Sequence, residues 1–318
     1  MKSLCIGRST YHFNLSVADF APLGESLETN EVSESSSGSG VNAARVLGKY
    51  GIETYLASTT GDDTFGNLIK KDLEKVGVHT EYMETAYERR TSLTFSVLKK
   101  DTKERVAYTA NKEKLLLKKT EFPMAPDLVY TDGYDYGASL SALNKYSDKI
   151  TVINAKMPSQ EIAELCKYCK YIIATKEFAE WASGKQIDFN SSDTLVGVYS
   201  SLLNKFIGKQ IIITLGSKGS LYIADNQIKV MPALNLDVVD QTGAGDIFGG
   251  AFAYALLQGF DLEKAITFAN IAGGLSITKM GPNESVADLS DVMNYFNQKY
   301  GIVTPQATPN VPTSPDTL

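Results

Sequence analysis

The sequence of 318 residues is poor in the residues that staple, cage or anchor a protein. Three cysteines are too few to staple a secreted scaffold of this length, and two histidines leave no His-rich metal cage and no HExxH zinc motif. No uninterrupted apolar run approaches the roughly 20 residues needed to cross a bilayer. Positive charge is short as well. Lys and Arg number 31 against 37 Asp and Glu, net −6, whereas affinity for nucleic acid rests largely on clustered basic charge. Neither nucleic acid nor membrane is therefore an expected partner. With 10 prolines, 43% hydrophobic and 21% charged residues, the chain has material for one large core and is not disordered, collagen-like or a coiled coil. Met1 leads straight into a strand-like run, so a cytoplasmic protein is expected.

Short β-rich runs at 4–7, 54–57, 128–131, 150–153, 171–174 and 210–214 alternate with helical patterns at 65–76, 159–170 and 195–206. Such alternation implies a parallel sheet covered on both faces, with ligands at the carboxyl ends of its strands. Two β-rich excursions break the rhythm, at 11–32 and 91–109. The second reads as a hairpin of 93–98 and 105–109, and together they would form a small lid, with segments at about 10–36 and 88–112 of a domain spanning 1–302. A last helix is expected at 287–300. Beyond it, 303–318 carries Pro305, Pro309, Pro312 and Pro315 with little to bury, and is expected to be disordered.

The chemistry concentrates in Asp240-Gln241-Thr242-Gly243-Ala244-Gly245-Asp246. Phe248, Phe252 and Leu256 follow at helical spacing, so the Gly-Ala-Gly loop opens a buried helix. First-turn amides have no intrahelical partner and can hold phosphate oxygens. Asp246, in the same turn, could take a proton from an attacking hydroxyl. A lone Gly-x-Gly-Asp fits a helix cap equally well. Cys166 and Cys169 match C-x-x-C, but with no second pair they read as helix packing.

The run 240–246 closely resembles the signature of the PfkB, or ribokinase-like, carbohydrate kinases. Further matches follow in order: Gly38-Ser39-Gly40-Val41-Asn42 near the N-terminus, Gly61-Asp62-Asp63-Thr64-Phe65-Gly66, the strand-end loop Thr214-Leu215-Gly216-Ser217-Lys218-Gly219, and Ala269-Asn270 with Lys279-Met280-Gly281. Residues 171–179 look most like the ketohexokinase/fructokinase-type branch. The resemblance implies an α/β fold, a ribokinase-like three-layer α/β/α sandwich with a mostly parallel central sheet and a small β-sheet lid. It implies ATP and Mg2+, with Asp246 as catalytic base and Gly243, Ala244 and Gly245 as an anion hole. Thr214, Gly216, Ser217, Gly219, Asn270 and Gly281 would then line the nucleotide site. His12, Gly38, Gly40 and Asn42 would meet the acceptor, a primary hydroxyl of a small sugar such as a ketohexose or ribose. A monovalent cation, K+ or Na+, is implied around Asp240, Thr242 and Ser285, and a homodimer through the lid.

Departures fall on the acceptor side. His12 stands where the pattern has an Asp, Ser37 replaces a Gly and Asn154 replaces another Asp. A neutral imidazole accepts only one hydrogen bond. His12 alone also reads, less well, as a partly exposed turn residue, and two rival readings stay open: a nucleoside kinase of the same fold, and a non-catalytic sugar or nucleotide sensor.

Overall fold

A computed structural model describes residues 1–111 and 113–301; the tail expected at 303–318, and residue 112 at the end of the second lid segment, lie outside the described residues. The strands, in chain order, are β1 (Lys2–Ile6), β2 (Thr10–Val17), β3 (Val32–Ser37), β4 (Glu53–Gly61), β5 (Val78–His79), β6 (Met83–Ala86) and β7 (Leu93–Lys99). They continue as β8 (Arg105–Ala110), β9 (Leu128–Thr131), β10 (Ile150–Ala155), β11 (Tyr171–Thr175), β12 (Gln210–Thr214), β13 (Ser220–Ala224) and β14 (Gln227–Met231). Ten of them form the central sheet in the order β14-β13-β12-β11-β10-β9-β1-β4-β5, with β6 paired to β4. From β5 to β12 every pairing is parallel; β13 and β14 add an antiparallel edge.

Both faces of this sheet are buried, which explains its near-continuous apolar strands. Cys5, Tyr130, Val152, Ile173 and Ile212 enter one core, with α1 (Ser39–Lys49), α7 (Ala244–Leu257) and α8 (Leu262–Ser276). Their neighbours Ile6, Val129, Ile153, Ile172 and Ile213 enter the other, with α3 (Tyr136–Lys145), α4 (Gln160–Cys166), α5 (Lys176–Ser183) and α6 (Ser192–Lys205). The remaining helices are α2 (Thr64–Glu74), α9 (Pro282–Ser285) and α10 (Leu289–Tyr300).

A separate four-stranded sheet, β3-β2-β7-β8, comes from the two excursions. Cross-strand register puts Thr10, His12 and Asn14 on one face with Ser37, Ser35 and Ser33 of β3, Thr94 and Ser96 of β7, and Thr109 and Arg105 of β8. His12 is therefore a mid-strand residue, not a turn residue. The serine run at 35–37 is the end of strand β3 and is buried, because it pairs with β2 against the core. The β13–β14 hairpin had no strong periodic signal, and residues 232–243 ahead of the Gly-Ala-Gly loop form no regular element. Cys166 and Cys169 are buried thiols, and burial pushes both up from the ordinary thiol range.

Candidate active site

The loop before α7 turns at Gly243, where φ is +83°, a conformation that glycine adopts without a Cβ penalty. Ala244 N bonds Gln241 O at 3.3 Å, and the Asp246 and Ile247 amides both bond Gly243 O at 2.9 Å. The Gly243 and Gly245 amides have no partner among the described residues, so they point positive charge at whatever lies over the helix start. A Cβ on Gly245 would meet nothing within 4 Å, which leaves that space open.

Asp246 is buried and fully engaged. Its Oδ1 accepts from Ser39 Oγ at 2.7 Å, Lys156 Nζ at 2.9 Å and Asn154 Nδ2 at 3.2 Å, and its Oδ2 accepts from Asn42 Nδ2 at 3.1 Å. Burial pushes this carboxyl upward, yet the Lys156 ammonium and the Lys156, Ser39 and Asn42 hydrogen bonds outweigh it and hold it below the usual carboxylate range. Asp246 is thus ionised at neutral pH. Asn42 is itself aimed from behind. Arg45, fully buried on α1, donates Nη1 to Asn42 Oδ1 at 3.0 Å and Nη2 to Ser36 O at 3.1 Å, turning the Asn42 amide nitrogen toward Asp246.

Gly38 and Gly40 bring the start of α1 against β1. At Gly38, φ is +119° and a Cβ would lie 2.0 Å from Arg8 O; at Gly40 it would lie 2.7 Å from Gly7 Cα. The Gly40 amide donates to Asp132 Oδ2 at 3.1 Å, alongside Arg8 N at 2.9 Å, while Tyr134 N bonds Oδ1 at 2.9 Å. His12 lies across on the small sheet. Its Nε2 meets Thr10 Oγ1 at 2.9 Å, and its buried Nδ1 has no partner. Burial, with the positive charges of Arg105 and Arg8, pushes His12 down to about 4, so the ring is neutral.

The expected nucleotide residues lie farther along the carboxyl edge. Thr214 ends β12 and gives its hydroxyl proton to Ala174 O at 3.3 Å; Gly216 and Ser217 are exposed in the turn that Gly219 closes by accepting from Leu215 N at 2.8 Å. Asn270 on α8 donates to Pro232 O at 2.5 Å, at the rim of a cavity of about 350 Å³ lined by Leu234, Thr267, Ile271 and Tyr295. Asp240 ties the loop to the C-terminal segment, accepting from Thr242 N at 2.9 Å and Gly281 N at 3.1 Å. The Asp240 and Thr242 carbonyls accept from no described donor, and the Ser285 hydroxyl is buried without a partner. Among the described residues no three His, Cys, Asp or Glu side chains converge as a metal cluster.

The pattern of the pfkB family carbohydrate kinases matches residues 1–289 of the chain. The chain belongs to that family. The kinase is 25% identical over 306 residues to the ribokinase of Bacillus subtilis (strain 168), covering 92% of this chain and 98% of that protein. It is 25% identical over 293 residues to the deoxyribokinase of Salmonella typhi, covering 86% and 92%. The ribokinase of Arabidopsis thaliana, solved with ribose and ATP, shares its fold with a TM-score of 0.76 at 19% identity over 93% and 98% of the two chains. The fold is thus ribokinase-like, and the enzyme is a phosphotransferase acting on a sugar hydroxyl, with ATP as the family's donor.

The kinase therefore gathers Asp246, Asn42 and the Gly243–Gly245 loop in one place, with Gly38 and Gly40 behind them. Sequence reasoning did not find Lys156, Ser39, Arg45, Asp132 or Arg8 as site residues. Ser39 lay inside the glycine motif and Asn154, marked as a departure, lies two residues before Lys156. The other three carried no local signal.

Proposed function

We propose that the protein transfers the γ-phosphoryl group of ATP to a primary hydroxyl of a small sugar, with Asp246 as base. The observation that carries this reading is an ionised, buried Asp246 in the same helical turn as the free Gly243 and Gly245 amides. The acceptor hydroxyl gives its proton to an Asp246 oxygen and its oxygen attacks the γ-phosphorus. The bond to the bridging oxygen breaks and ADP leaves, while the free Gly243 and Gly245 amides take the charge on the transferring group and the Ala244 amide, bonded to Gln241 O, does not. Lys156 adds a cation beside the base. The strand-end residues Thr214, Gly216, Ser217 and Gly219 would border the phosphates, with Asn270 and Gly281 toward the adenine. Mg2+, when bound with ATP, would supply neutralisation of the phosphate charge. A monovalent cation, K+ or Na+, would be held by the Asp240 and Thr242 carbonyls and the Ser285 hydroxyl, which have no partner among the described residues.

The names of the relatives favour a pentose over a ketohexose, for which only residues 171–179 speak. The small sheet acts as the lid over the acceptor, with segments at about 10–36 and 88–112 of one kinase domain spanning 1–302. Val32, Phe95, Val106 and Tyr108 leave its other face apolar and exposed, which supports pairing of two copies through the lid. No helix among the described residues is long and apolar enough to cross a membrane, in keeping with a cytoplasmic enzyme. The test is coupled detection of ADP across sugars and nucleosides: turnover of a sugar supports the reading, and turnover of nucleosides alone replaces it with the nucleoside kinase. No turnover with any acceptor, with ATP still bound, leaves the sensor.

A further inference from the structure

We infer that the acceptor carries an oxyanion, a carboxylate or a phosphate, in addition to the hydroxyl that is phosphorylated, and that Arg8 and Arg105 bind it; this rests on the kinase reading above. The face of the small sheet that turns toward the site carries no acid on its four strands. Its register neighbours are Thr10, His12, Asn14, Ser33, Ser35, Ser37, Thr94, Ser96, Leu98, Thr109, Ala107 and Arg105, whereas Glu34 points the other way and takes the Tyr11 hydroxyl at 3.0 Å.

On and beside that face the charges are unbalanced toward positive. Arg8 Nη2 donates to Ser92 Oγ at 2.7 Å, its guanidinium lies 5.5 Å from the Tyr134 ring centre, and its buried Nε has no partner. Arg105 Nε donates to Ser96 Oγ at 2.6 Å. Neither meets a carboxylate among the described residues. Asp246 is matched by Lys156, and Asp132 is taken up by the Arg8, Gly40 and Tyr134 amides. Arg8 and Arg105 bond Ser92 and Ser96, two residues to either side of Thr94, the register partner of His12, so the two guanidinium groups are anchored on either side of His12, whose charged form both disfavour. A neutral sugar would satisfy hydroxyl and amide partners but leave two guanidinium forks unmatched, and those forks suit the paired oxygens of a carboxylate or phosphate. In the tautomer that accepts from Thr10, His12 presents Nδ1–H as a further donor to such an oxygen.

The experiment compares matched acceptors on the full chain: D-ribitol with D-ribonate, D-ribose with its 1-phosphate, D-glucitol with D-gluconate, and D-fructose with its 1- and 6-phosphates, read both as turnover and as calorimetric binding with a non-hydrolysable ATP analogue present. The expected result is a preference of about tenfold or more for the anionic member in kcat/KM and in affinity. The pair that shows it separates carboxylate from phosphate. Arg105→Met, on an exposed strand, should cut that ratio by about tenfold, Arg8→Met likewise, and Lys167→Met, a surface control outside the site, should leave it unchanged. Equal use of both members, preference for the neutral one, or equal loss on both in the arginine variants overturns the inference while leaving a sugar kinase intact. Binding of the anionic member that depends on Arg105, without turnover of any acceptor, supports the inference and overturns the kinase reading.

Discussion

Lys156 Nζ lies 2.9 Å from Asp246 Oδ1, joining the end of β10 to the first turn of α7 across 90 residues of chain. The pair sets the protonation state of Asp246. A buried carboxylate alone would be driven toward its neutral form, which cannot accept a proton; an ammonium at this distance reverses that preference. Lys156 is partly exposed, with 41% of its side chain accessible, while Asp246 is buried.

Asp246→Asn keeps the side chain's shape and removes the base. Its kcat is expected to fall by roughly 10²–10⁴-fold, with ATP affinity measured by calorimetry little changed. Retention of near-normal turnover would exclude Asp246 as the base.

Lys156→Gln tests the ion pair through pH. Asp246 is held low by Lys156, so the active ionised form persists into acid; without that charge its carboxyl titrates at higher pH. The acidic limb of kcat/KM is expected to move upward, and a limb that stays put would show that Lys156 does not tune the base.

Two glycine substitutions should separate fold from function. Gly38→Ala forces a Cβ to 2.0 Å from Arg8 O at a φ of +119° and is expected to cost about 3 kcal/mol or more, read as a lowered Tm. Gly245→Ala meets nothing within 4 Å and should leave Tm equal or slightly raised, while its methyl intrudes on the phosphoryl site and lowers kcat. Loss of folding in Gly245→Ala, or full activity, would contradict this assignment.

His12 should make the fold acid-sensitive. Its folded pKa of about 4 lies below the ordinary value of 6.5, so between these pH values the unfolded chain binds more protons and stability falls as pH drops. His12→Gln removes that slope. Denaturant titrations of the two proteins should therefore differ by a constant above pH 6.5 and converge or cross toward pH 4, in favour of the variant. Parallel pH profiles would indicate a solvated imidazole.

Much of the site was legible because it is local. The start of α7 follows from Gly-Ala-Gly and the apolar spacing of Phe248, Phe252 and Leu256, and the strands 128–131 and 210–214 match β9 and β12 residue for residue. Helix ends were less so. The pattern at 159–170 runs past α4, which stops at Cys166, because Cys169 is buried without a helical turn to carry it. The short edge hairpin β13–β14 has too few buried positions to announce itself.

The amino-acid sequence by itself determined the alternating architecture and the Gly-Ala-Gly turn that opens α7 with Asp246 in its first turn, since periodicity and helix-terminal amides depend on neighbours within a few residues. Only the tertiary structure decided what surrounds that carboxylate. Asn154 and Lys156, at the end of β10, and Ser39, on α1, reach it, Arg45 aims Asn42, and Arg8 and Arg105 are anchored on Ser92 and Ser96 of the small sheet's second segment. Strand order and cross-strand register bring these groups together, and neither is written in any local stretch of the chain.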